Sequence, residues 1–228
     1  MPATKNALII GASRGLGLGL VQRLKEDGWA VTATVRDTQK ADKLRAVADV
    51  QIEQLDMDDA QSVSDLHQRL QGQVFDLLFV NAGIKGPDDQ TPGAAPAQEV
   101  AQLFLTNSVA PISLAQHFTD SLRADTGVLA FMSSVLGSVT SPDAPELALY
   151  KASKAALNSL TNTYVSQLGE RKLTVLSLHP GWVKTDMGGE GAQIDVATST
   201  RGLVDVINAY NGKGGHYFLD YQGQTIVW

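Results

Sequence analysis

Short apolar runs alternate along the chain with segments in which apolar residues recur at helical spacing. The run Ala7–Ile10 is followed by Leu16, Leu20 and Leu24, which fall on one face of a helix. Such alternation predicts an α/β fold, built as one doubly wound domain over residues 1–228 with a seven-stranded parallel sheet and helices on both faces. The predicted strands are Ala7–Ile10, Trp29–Val35, Val50–Leu55, Phe75–Val80, Val128–Met132, Leu173–Leu178 and His216–Leu219.

Boundaries of the helices and loops follow from local signals. Asp58 followed by Gln61 matches a capping box, which predicts that a helix begins at Asp58. The longest helix is predicted from about 149 to 168. Two Gly/Pro-rich loops, 83–96 and 188–193, follow predicted strands. In doubly wound folds the loops at the carboxyl ends of the strands carry the functional site, so we expect the site there.

Composition excludes several classes of function. The 18 basic and 24 acidic residues give a net charge of −6, which argues against a nucleic-acid or polybasic membrane partner. The chain has no cysteine, so disulfides, thiolate metal sites and a cysteine nucleophile are excluded. The four histidines have no ligand spacing, so no metal is expected. We find no pattern of a signal peptide or an apolar membrane span, and therefore expect a cytoplasmic protein.

A glycine-rich segment follows the first predicted strand. Gly11, Gly15 and Gly17 have the spacing G-x-x-x-G-x-G, which permits a tight turn and the approach of a pyrophosphate to a helix N-terminus. The lysine of a P-loop is missing. The same segment matches the hydrolase nucleophile elbow G-x-S-x-G with Ser13 as nucleophile, but the elbow leaves Gly17 unexplained. A dinucleotide site is favoured over this elbow and over a plain glycine-rich turn.

Tyr150 and Lys154 stand four residues apart at the start of the long predicted helix, so their side chains share one face. A phenol with a pKa of about 10 is a weak base at neutral pH, and a nearby cation favours the phenolate. The pair alone is also consistent with a solvated helix start. It gains weight because the strand Val128–Met132 ends just upstream in Ser133 and Ser134.

In this order the motifs resemble those of the short-chain dehydrogenase/reductase family over nearly the whole chain. The run 179–189 and the terminal segment 221–228 are similar to a subgroup that contains the sniffer-type carbonyl reductases and the C-factor developmental signalling proteins. The resemblance implies a single Rossmann-type domain. The motifs that carry it are Gly11–Gly17, Asn81-Ala82-Gly83, Asn107, Ser134, Tyr150-x-x-x-Lys154 and Pro180–Thr185.

The resemblance implies catalytic roles for four residues. Tyr150 would be the general acid in reduction or the base in oxidation, and Lys154 would lower its pKa and bind the nicotinamide ribose. Ser134 would polarise the substrate carbonyl. Asn107 would hold a water that connects Lys154 to solvent. Pro111 supports this last role, because it has no N–H to donate to the carbonyl of Asn107 four residues earlier.

The resemblance also implies the contacts of cofactor and substrate. Asp56 and Met57 would contact the adenine, although helix capping is an alternative role for Asp56. The substrate would meet Trp182 together with Ser134 and Tyr150. The expected cofactor contacts are Gly11, Ser13, Arg14, Gly15, Leu16, Gly17, Arg36, Asp56, Met57, Asn81, Ala82, Gly83, Tyr150, Lys154, Pro180, Gly181, Val183 and Thr185.

The end of the second predicted strand bears on the choice of cofactor. An acidic residue there commonly selects NAD(H), whereas the Arg36 guanidinium can fork onto a 2′-phosphate. Arg14 is expected to approach the same phosphate from the glycine loop. Asp37 is expected to turn outward and cap the next helix. NADP(H) is therefore the expected cofactor, and NAD(H) the less favoured one.

Some positions depart from the family pattern. Ile10 stands where the family often has Thr or Ser, which predicts a looser glycine turn. An inserted loop, 141–145, lengthens the segment between Ser134 and Tyr150, which leaves Ser133 as an alternative for the serine role. We expect an apolar substrate pocket, with ordinary packing as the alternative, formed by Leu136, Pro142, Trp182 and Met187.

These features together predict an NADPH-dependent carbonyl reductase that transfers hydride between nicotinamide and a small carbonyl or alcohol substrate. A loop at about 186–195 is expected to cover the substrate. The alternative function is that of a C-factor-like, cofactor-binding signalling or regulatory protein. Members of the family commonly assemble through their two long helices, so a homodimer or homotetramer is expected.

Overall fold

Seven strands form one parallel sheet in the order β3-β2-β1-β4-β5-β6-β7, in a computed structural model that describes residues 4–141 and 143–228. All six strand pairs are parallel. This confirms the predicted α/β class and strand number, while Pro142, expected at the substrate pocket, lies outside the described residues. The strands are β1 (Asn6–Ile10), β2 (Ala30–Val35), β3 (Val50–Gln54), β4 (Leu77–Val80), β5 (Val128–Met132), β6 (Thr174–His179) and β7 (Gly215–Asp220).

Helices cover both faces of this sheet, as predicted. One face packs against α1, α2 and α7, and the other against α3, α5 and α6. The strands are apolar on both sides because each side meets a helical layer. The helices are α1 (Gly15–Glu26), α2 (Asp42–Arg45), α3 (Ala60–Arg69), α4 (Ala97–Phe104), α5 (Ala110–Phe118), α6 (Ala148–Gln167) and α7 (Val196–Tyr210).

The predicted capping box at Asp58 is wrong by one residue. Asp59 is the N-cap of α3, and its Oδ1 accepts the backbone N–H of Gln61 at 3.0 Å. The Asp58 carboxylate instead accepts hydrogen bonds from Thr106 at 2.6 Å and Gln102 at 2.7 Å. Two adjacent aspartates have the same capping chemistry, and only the tertiary contact with α4 and the turn after it distinguishes them.

The strand order places a crevice between β1 and β4. The winding direction of the sheet reverses there, with β2 and β3 on one side and β5, β6 and β7 on the other. Ligands of doubly wound sheets bind at such a reversal, outside the carboxyl ends of the strands. The loops that follow β1, β4, β5 and β6 all leave from this edge. Within the described ranges, no helix is both long enough and apolar enough to cross a membrane.

Candidate active site

The glycine turn after β1 is held by contacts that leave no space for side chains. Gly11 has a φ of +82°, and a Cβ there would lie 2.8 Å from the Cβ of Ala82. A Cβ on Gly17 would lie 2.1 Å from the carbonyl oxygen of Gly11. The Asn81 side chain donates to that carbonyl at 2.7 Å. The close-packed turn brings the N-terminus of α1 to the crevice, where backbone N–H groups attract a pyrophosphate, so these residues fit a dinucleotide.

Thr34 on β2 completes this turn, although no sequence motif indicates it. Its hydroxyl accepts the N–H of Gly11 at 3.1 Å, and its carbonyl accepts the N–H of Ala12 at 2.8 Å. Ile10, which departs from the family pattern, is buried in the core. The looser turn expected from Ile10 is therefore not observed, because a hydroxyl from the neighbouring strand holds Gly11. No hydrogen bond joins Ser13 to a histidine in the part of the chain described, so the hydrolase elbow gains no support.

Helix α6 carries Tyr150 and Lys154 into the edge of the crevice. Lys154 is 3% exposed, and its Nζ donates to the carbonyl oxygen of Met132 at 2.8 Å. The same nitrogen lies 5.9 Å from the centroid of the Tyr150 ring. The predicted pairing of the two side chains on one helix face is confirmed, with Lys154 buried and Tyr150 half-buried. The alternative of a solvated helix start is therefore wrong.

Burial shifts the pKa values of both groups towards their neutral forms. It raises the pKa of the Tyr150 hydroxyl to about 12, against a smaller lowering by a hydrogen bond with the Ser134 hydroxyl. Burial lowers the pKa of Lys154 to about 8. The family resemblance implies that Lys154 lowers the pKa of Tyr150. The net pKa of Tyr150 is raised because loss of solvation outweighs the hydrogen bond with Ser134. The lowering expected from Lys154 stays a prediction.

Asn107 is fixed by a one-turn π-helix, Leu105–Val109, that interrupts the helical run from α4 to α5. Its Oδ1 accepts the N–H of Ile84 at 2.8 Å, while its Nδ2 donates to the Ile84 carbonyl at 2.8 Å and to Ser153 Oγ at 3.0 Å. A Cβ on Gly83 would lie 3.2 Å from Asn107 Oδ1 and 3.5 Å from Lys154 Nζ. The structure thus brings Gly83, Asn107 and Lys154 together, as the motifs predict.

The two serines after β5 have different surroundings. Ser133 is buried, and its hydroxyl donates to Asn158 Oδ1 on α6 at 2.7 Å. Ser134 Oγ accepts the N–H of Leu136 at 3.1 Å and is the serine that acts on the pKa of Tyr150. The Ser133 hydroxyl is thus occupied by a structural hydrogen bond, which favours Ser134 for the predicted role beside the tyrosine.

A folded loop, which we call the lid (residues 182–194), extends from the end of β6. It is closed by a bridge between Val183 and Ile194, and the Trp182 indole N–H donates to the Gly188 carbonyl at 2.8 Å. The lid overlaps the predicted substrate loop at 186–195. Trp182 and Met187 are both about half exposed, so apolar side chains face solvent at its surface. Such a surface is available to cover a small apolar substrate.

The adenine end of the crevice is more open. Arg36 is exposed after β2 and has no ion-pair partner among residues 4–141 and 143–228. Asp37 caps the short turn that follows by accepting the Gln39 N–H at 2.9 Å, as predicted. The exposed Asp56 carboxylate accepts the N–H of Asp58 at 3.1 Å, which is a local turn contact rather than a helix cap. These placements leave the Arg36 guanidinium free to receive an anion.

Arg14 forms an ion pair with the lid. Its Nη1 lies 2.7 Å from Asp186 Oδ2, while its expected contact with a 2′-phosphate stays a prediction. The pairing partner is 172 positions away along the chain, so no local pattern could indicate it. Among the described residues, no group of three or more histidines and acidic residues is able to hold a metal.

Comparison with known proteins agrees with this geometry. The family model of the short chain dehydrogenases matches residues 5–194. The chain belongs to the short chain dehydrogenase family. The C-signal protein of Myxococcus xanthus is 33% identical over 156 residues, which cover 67% of this chain and 92% of that protein.

Solved structures of the short chain dehydrogenase family extend the likeness over the fold. A carbonyl reductase from Pseudomonas aeruginosa in complex with NADP is 38% identical, with a TM-score of 0.92, over 99% of this chain and 100% of that one. The carbonyl reductase Sniffer of D. melanogaster is 32% identical, with a TM-score of 0.86, at the same two coverages. The resemblance to this family and to its sniffer-type subgroup is therefore confirmed.

Gln90 is a further site residue that the family motifs do not include. It is 5% exposed in the loop after β4, and its Oε1 accepts the N–H of Tyr150 at 2.8 Å. Its Nε2 donates to the carbonyl of Pro87 at 2.6 Å. The N-cap of α6, Leu147, makes no side-chain cap, so Gln90 satisfies one of the free N–H groups of the helix that carries Tyr150.

Proposed function

We propose that this protein is an NADP(H)-dependent carbonyl reductase, which transfers hydride between nicotinamide and a carbonyl or alcohol substrate. The observation that carries the proposal is the convergence of Ser134, Tyr150, Lys154 and Asn107 at one edge of the crevice. The glycine turn supports a dinucleotide beside them. The NADP complex of the related Pseudomonas carbonyl reductase supports the cofactor and the reaction class.

The protein's own groups would supply the proton and hold the substrate. When bound, the nicotinamide supplies the hydride that reaches the carbonyl carbon. Ser134 donates a hydrogen bond to the substrate oxygen, and Tyr150 transfers its hydroxyl proton to that oxygen. The raised pKa keeps Tyr150 protonated at neutral pH, so the acid is in the form that reduction requires. The Lys154 ammonium favours the phenolate that remains.

Two tethers keep these groups aligned. The Asn107 amide binds both backbone groups of Ile84, so the catalytic edge is joined to the loop after β4. We propose that a water held by Asn107 conducts protons from solvent to Lys154. With the exception of Arg14, the remaining residues predicted from the family to contact the cofactor, from the glycine turn to Thr185, are proposed to line one continuous site along the crevice.

Cofactor choice is assigned to Arg36. Its guanidinium is exposed at the end of β2, without an ion pair in the described ranges, and the neighbouring Asp37 is occupied as a cap. A charge-assisted hydrogen bond to a 2′-phosphate contributes about 1.5–3 kcal/mol. A single such contact is enough for more than tenfold discrimination against NADH.

Turnover with a panel of aldehydes, ketones and quinones tests the proposal. We expect NADPH to exceed NADH by at least tenfold in kcat/KM, and Arg36→Ala to remove most of that preference. Lys43→Ala is the matched control, because it removes an exposed cation from α2, beyond the proposed site. Equal use of both cofactors by the unmodified protein would show that the assignment to Arg36 is wrong.

A second candidate function is signalling or regulation by a cofactor-binding protein. The observation that favours it is the 33% identity with C-signal. It predicts that the protein binds NADP(H) without turning over any member of the carbonyl panel. The buried catalytic groups favour the reductase, since a protein that only binds cofactor has no need of a protonated tyrosine beside a serine.

We further propose that the substrate is a small carbonyl compound covered by the lid, and that the protein acts as a homodimer or homotetramer. The two long helical segments are the continuous run 97–118, from α4 to α5, and helix α6. Support for the assembly comes from their exposed apolar side chains Leu105, Val109 and Leu160.

A further inference from the structure

The lid reaches across the crevice to touch the glycine turn. A Cβ on Gly15 would lie 3.6 Å from Thr185 Cγ2, and Arg14 Nη1 lies 2.7 Å from Asp186 Oδ2. In the sheet, β5 and β4 lie between β6, where the lid begins, and β1, where the glycine turn begins. The lid therefore has to pass over the ends of β5 and β4, and over the crevice beside β1, before it makes these contacts.

Asp186 is held in place by hydrogen bonds inside the lid. The Gly188 N–H donates to Thr185 Oγ1 at 3.1 Å, and the Gly189 N–H donates to the Thr185 carbonyl at 2.9 Å. The backbone N–H of Lys184 donates to the Ile194 carbonyl at 2.9 Å and joins the two ends of the lid. The carboxylate thus projects from a structured turn, and Arg14 projects from the N-cap of α1.

The ion pair itself contributes little to the stability of the fold. The two side chains are 71% and 76% exposed, and exposed ion pairs contribute at most modestly to stability. Its distinctive property is that it joins two segments that lie on opposite sides of the crevice. We propose that Arg14 and Asp186 form a clasp, which fastens the lid to the glycine turn and slows the release of a bound dinucleotide.

This inference rests on the proposed function, since it requires a dinucleotide in the crevice. It assigns Asp186 as a positioning residue and gives Arg14 a role different from the one expected from the sequence. A clasp acts on the parts that NADPH and NADH share, so it should retain both equally. If Arg14 instead binds the 2′-phosphate, its removal should affect NADPH alone, and removal of Asp186 should free Arg14 and tighten NADPH.

Stopped-flow measurement of the release of fluorescent NADPH and NADH separates these outcomes. We expect Asp186→Asn to accelerate the release of both cofactors about two- to fivefold, which corresponds to an exposed ion pair. Arg14→Gln should have the same effect, and the double variant should show no further increase, because both changes break one interaction. At about 1 M salt, where screening reaches about 3 Å, the effect should disappear.

Exchanging the two charges provides the strongest test. Arg14→Asp and Asp186→Arg should each accelerate release, and the double exchange should restore the slow rate. Asp205→Asn is the control, because it removes an exposed carboxylate from α7 without touching the pair. Tighter NADPH binding by Asp186→Asn, or release rates unchanged by it, would overturn the clasp.

Failure of the clasp and failure of the proposed function have different signatures. If the unmodified protein binds neither cofactor, the proposed function itself is overturned, and the clasp falls with it. If the unmodified protein binds NADPH and Asp186→Asn leaves the release rate unchanged, only the clasp is overturned. If Asp186→Asn releases both cofactors faster but the unmodified protein shows no preference for NADPH in kcat/KM, the clasp stands and the assignment of Arg36 is wrong.

Discussion

At the scale of single residues, burial governs the chemistry of the proposed catalytic pair. It raises the pKa of Tyr150 to about 12 and lowers that of Lys154 to about 8. A tyrosine that stays protonated suits proton donation during carbonyl reduction. The same burial makes the reverse direction harder, because oxidation needs the phenolate. In oxidation, Lys154 and the Ser134 hydroxyl favour the phenolate and partly offset the increase that burial causes in the Tyr150 pKa.

Tyr150→Phe removes the proton donor and keeps the packing of the ring. We predict a loss of at least a hundredfold in kcat for carbonyl reduction, which is the lower range for a positioned acid. The dissociation constant of NADPH should change little, because the aromatic ring remains. Steady-state kinetics and fluorescence titration of the cofactor provide the two measurements. Turnover by the Phe variant at a nearly unchanged rate would contradict the assignment of Tyr150 as the acid.

Lys154 should make the free energy of unfolding depend on pH. Its folded-state pKa of about 8 lies below the unfolded value of 10.5, so the unfolded chain binds more protons between these values. Stability from this group therefore rises as the pH increases from about 8 to 10.5, by about 3 kcal/mol. Below pH 8 the buried charge carries its full cost.

The measurement is urea unfolding of the unmodified protein and of Lys154→Met at pH 7 to 10. The stability of the unmodified protein should increase with pH relative to that of the Met variant, which has no charge to bury. Lys151→Met is the control for loss of a lysine from the same helix. A constant difference between the unmodified protein and Lys154→Met across this range would show that Lys154 is not significantly desolvated.

Individual residues differ in how far the sequence could predict them. Gly11, Tyr150 and Lys154 could be predicted, since their chemistry depends on a spacing within one strand–turn–helix or one helix. Thr34 could not, because its contact with Gly11 joins two strands and needs the register of the sheet. The Arg14 ion pair could not be predicted for the same reason, since its partner Asp186 is on the lid, 172 positions away.

At the scale of elements, helix α6 depends on a side chain from another loop. The N-terminal N–H groups of a helix need partners, and α6 has no capping side chain at Leu147. Gln90 supplies one by accepting the Tyr150 N–H. The loop between β4 and α4 thereby fixes the turn of helix from which the proposed acid projects.

Gln90→Met should destabilise the protein and weaken catalysis together. The change keeps a similar volume but leaves the Tyr150 N–H and the Pro87 carbonyl without these partners. The expected cost is about 1–3 kcal/mol in the free energy of unfolding. We predict a fall of about tenfold in kcat with a smaller change in KM. Gln90→Glu keeps the acceptor for the Tyr150 N–H and should retain more of kcat. If the two variants lose kcat equally, Gln90 does not act through Tyr150.

The strands were predictable and the short helices less so. Buried parallel strands are continuous apolar runs, so all seven could be placed to within two residues. Apolar residues recur at helical spacing over 41–48, but only Asp42–Arg45 form helix α2. The π-helix at Leu105–Val109 has no distinct periodicity, although Pro111 indicated that the hydrogen bonding near Asn107 was unusual.

At the scale of the whole molecule, the sheet order could be derived only by analogy. The βα alternation predicts a parallel sheet but does not specify which strands are neighbours. The resemblance to a family with a Rossmann-type domain implies a doubly wound sheet, and the observed order, with β1 between β2 and β4, is of that kind. Contacts between distant loops, such as the one from the lid to the glycine turn, follow from this order.

The same architecture leaves an apolar surface on the two long helical segments. Val109 is 50% exposed, and Leu105 and Leu160 are each 37% exposed. The segments are packed together, since the Ser108 hydroxyl donates to the Ser153 carbonyl on α6 at 2.7 Å. Exposed apolar side chains on adjacent helices are typical of an interaction site. A second copy of the chain can cover them by a twofold interface, in which each side chain is used twice.

Val109→Asp should therefore shift the assembly towards monomer. In a twofold interface the substitution buries two unpaired carboxylates, so we predict at least a tenfold weaker association without loss of the folded monomer. Sedimentation velocity over a range of concentrations measures this. Val74→Asp is the matched control, because Val74 is 44% exposed but lies just before β4, outside both helical segments. A Val109→Asp protein that sediments like the unmodified one would place the interface elsewhere, and an unmodified protein that is monomeric at every concentration would contradict the assembly itself.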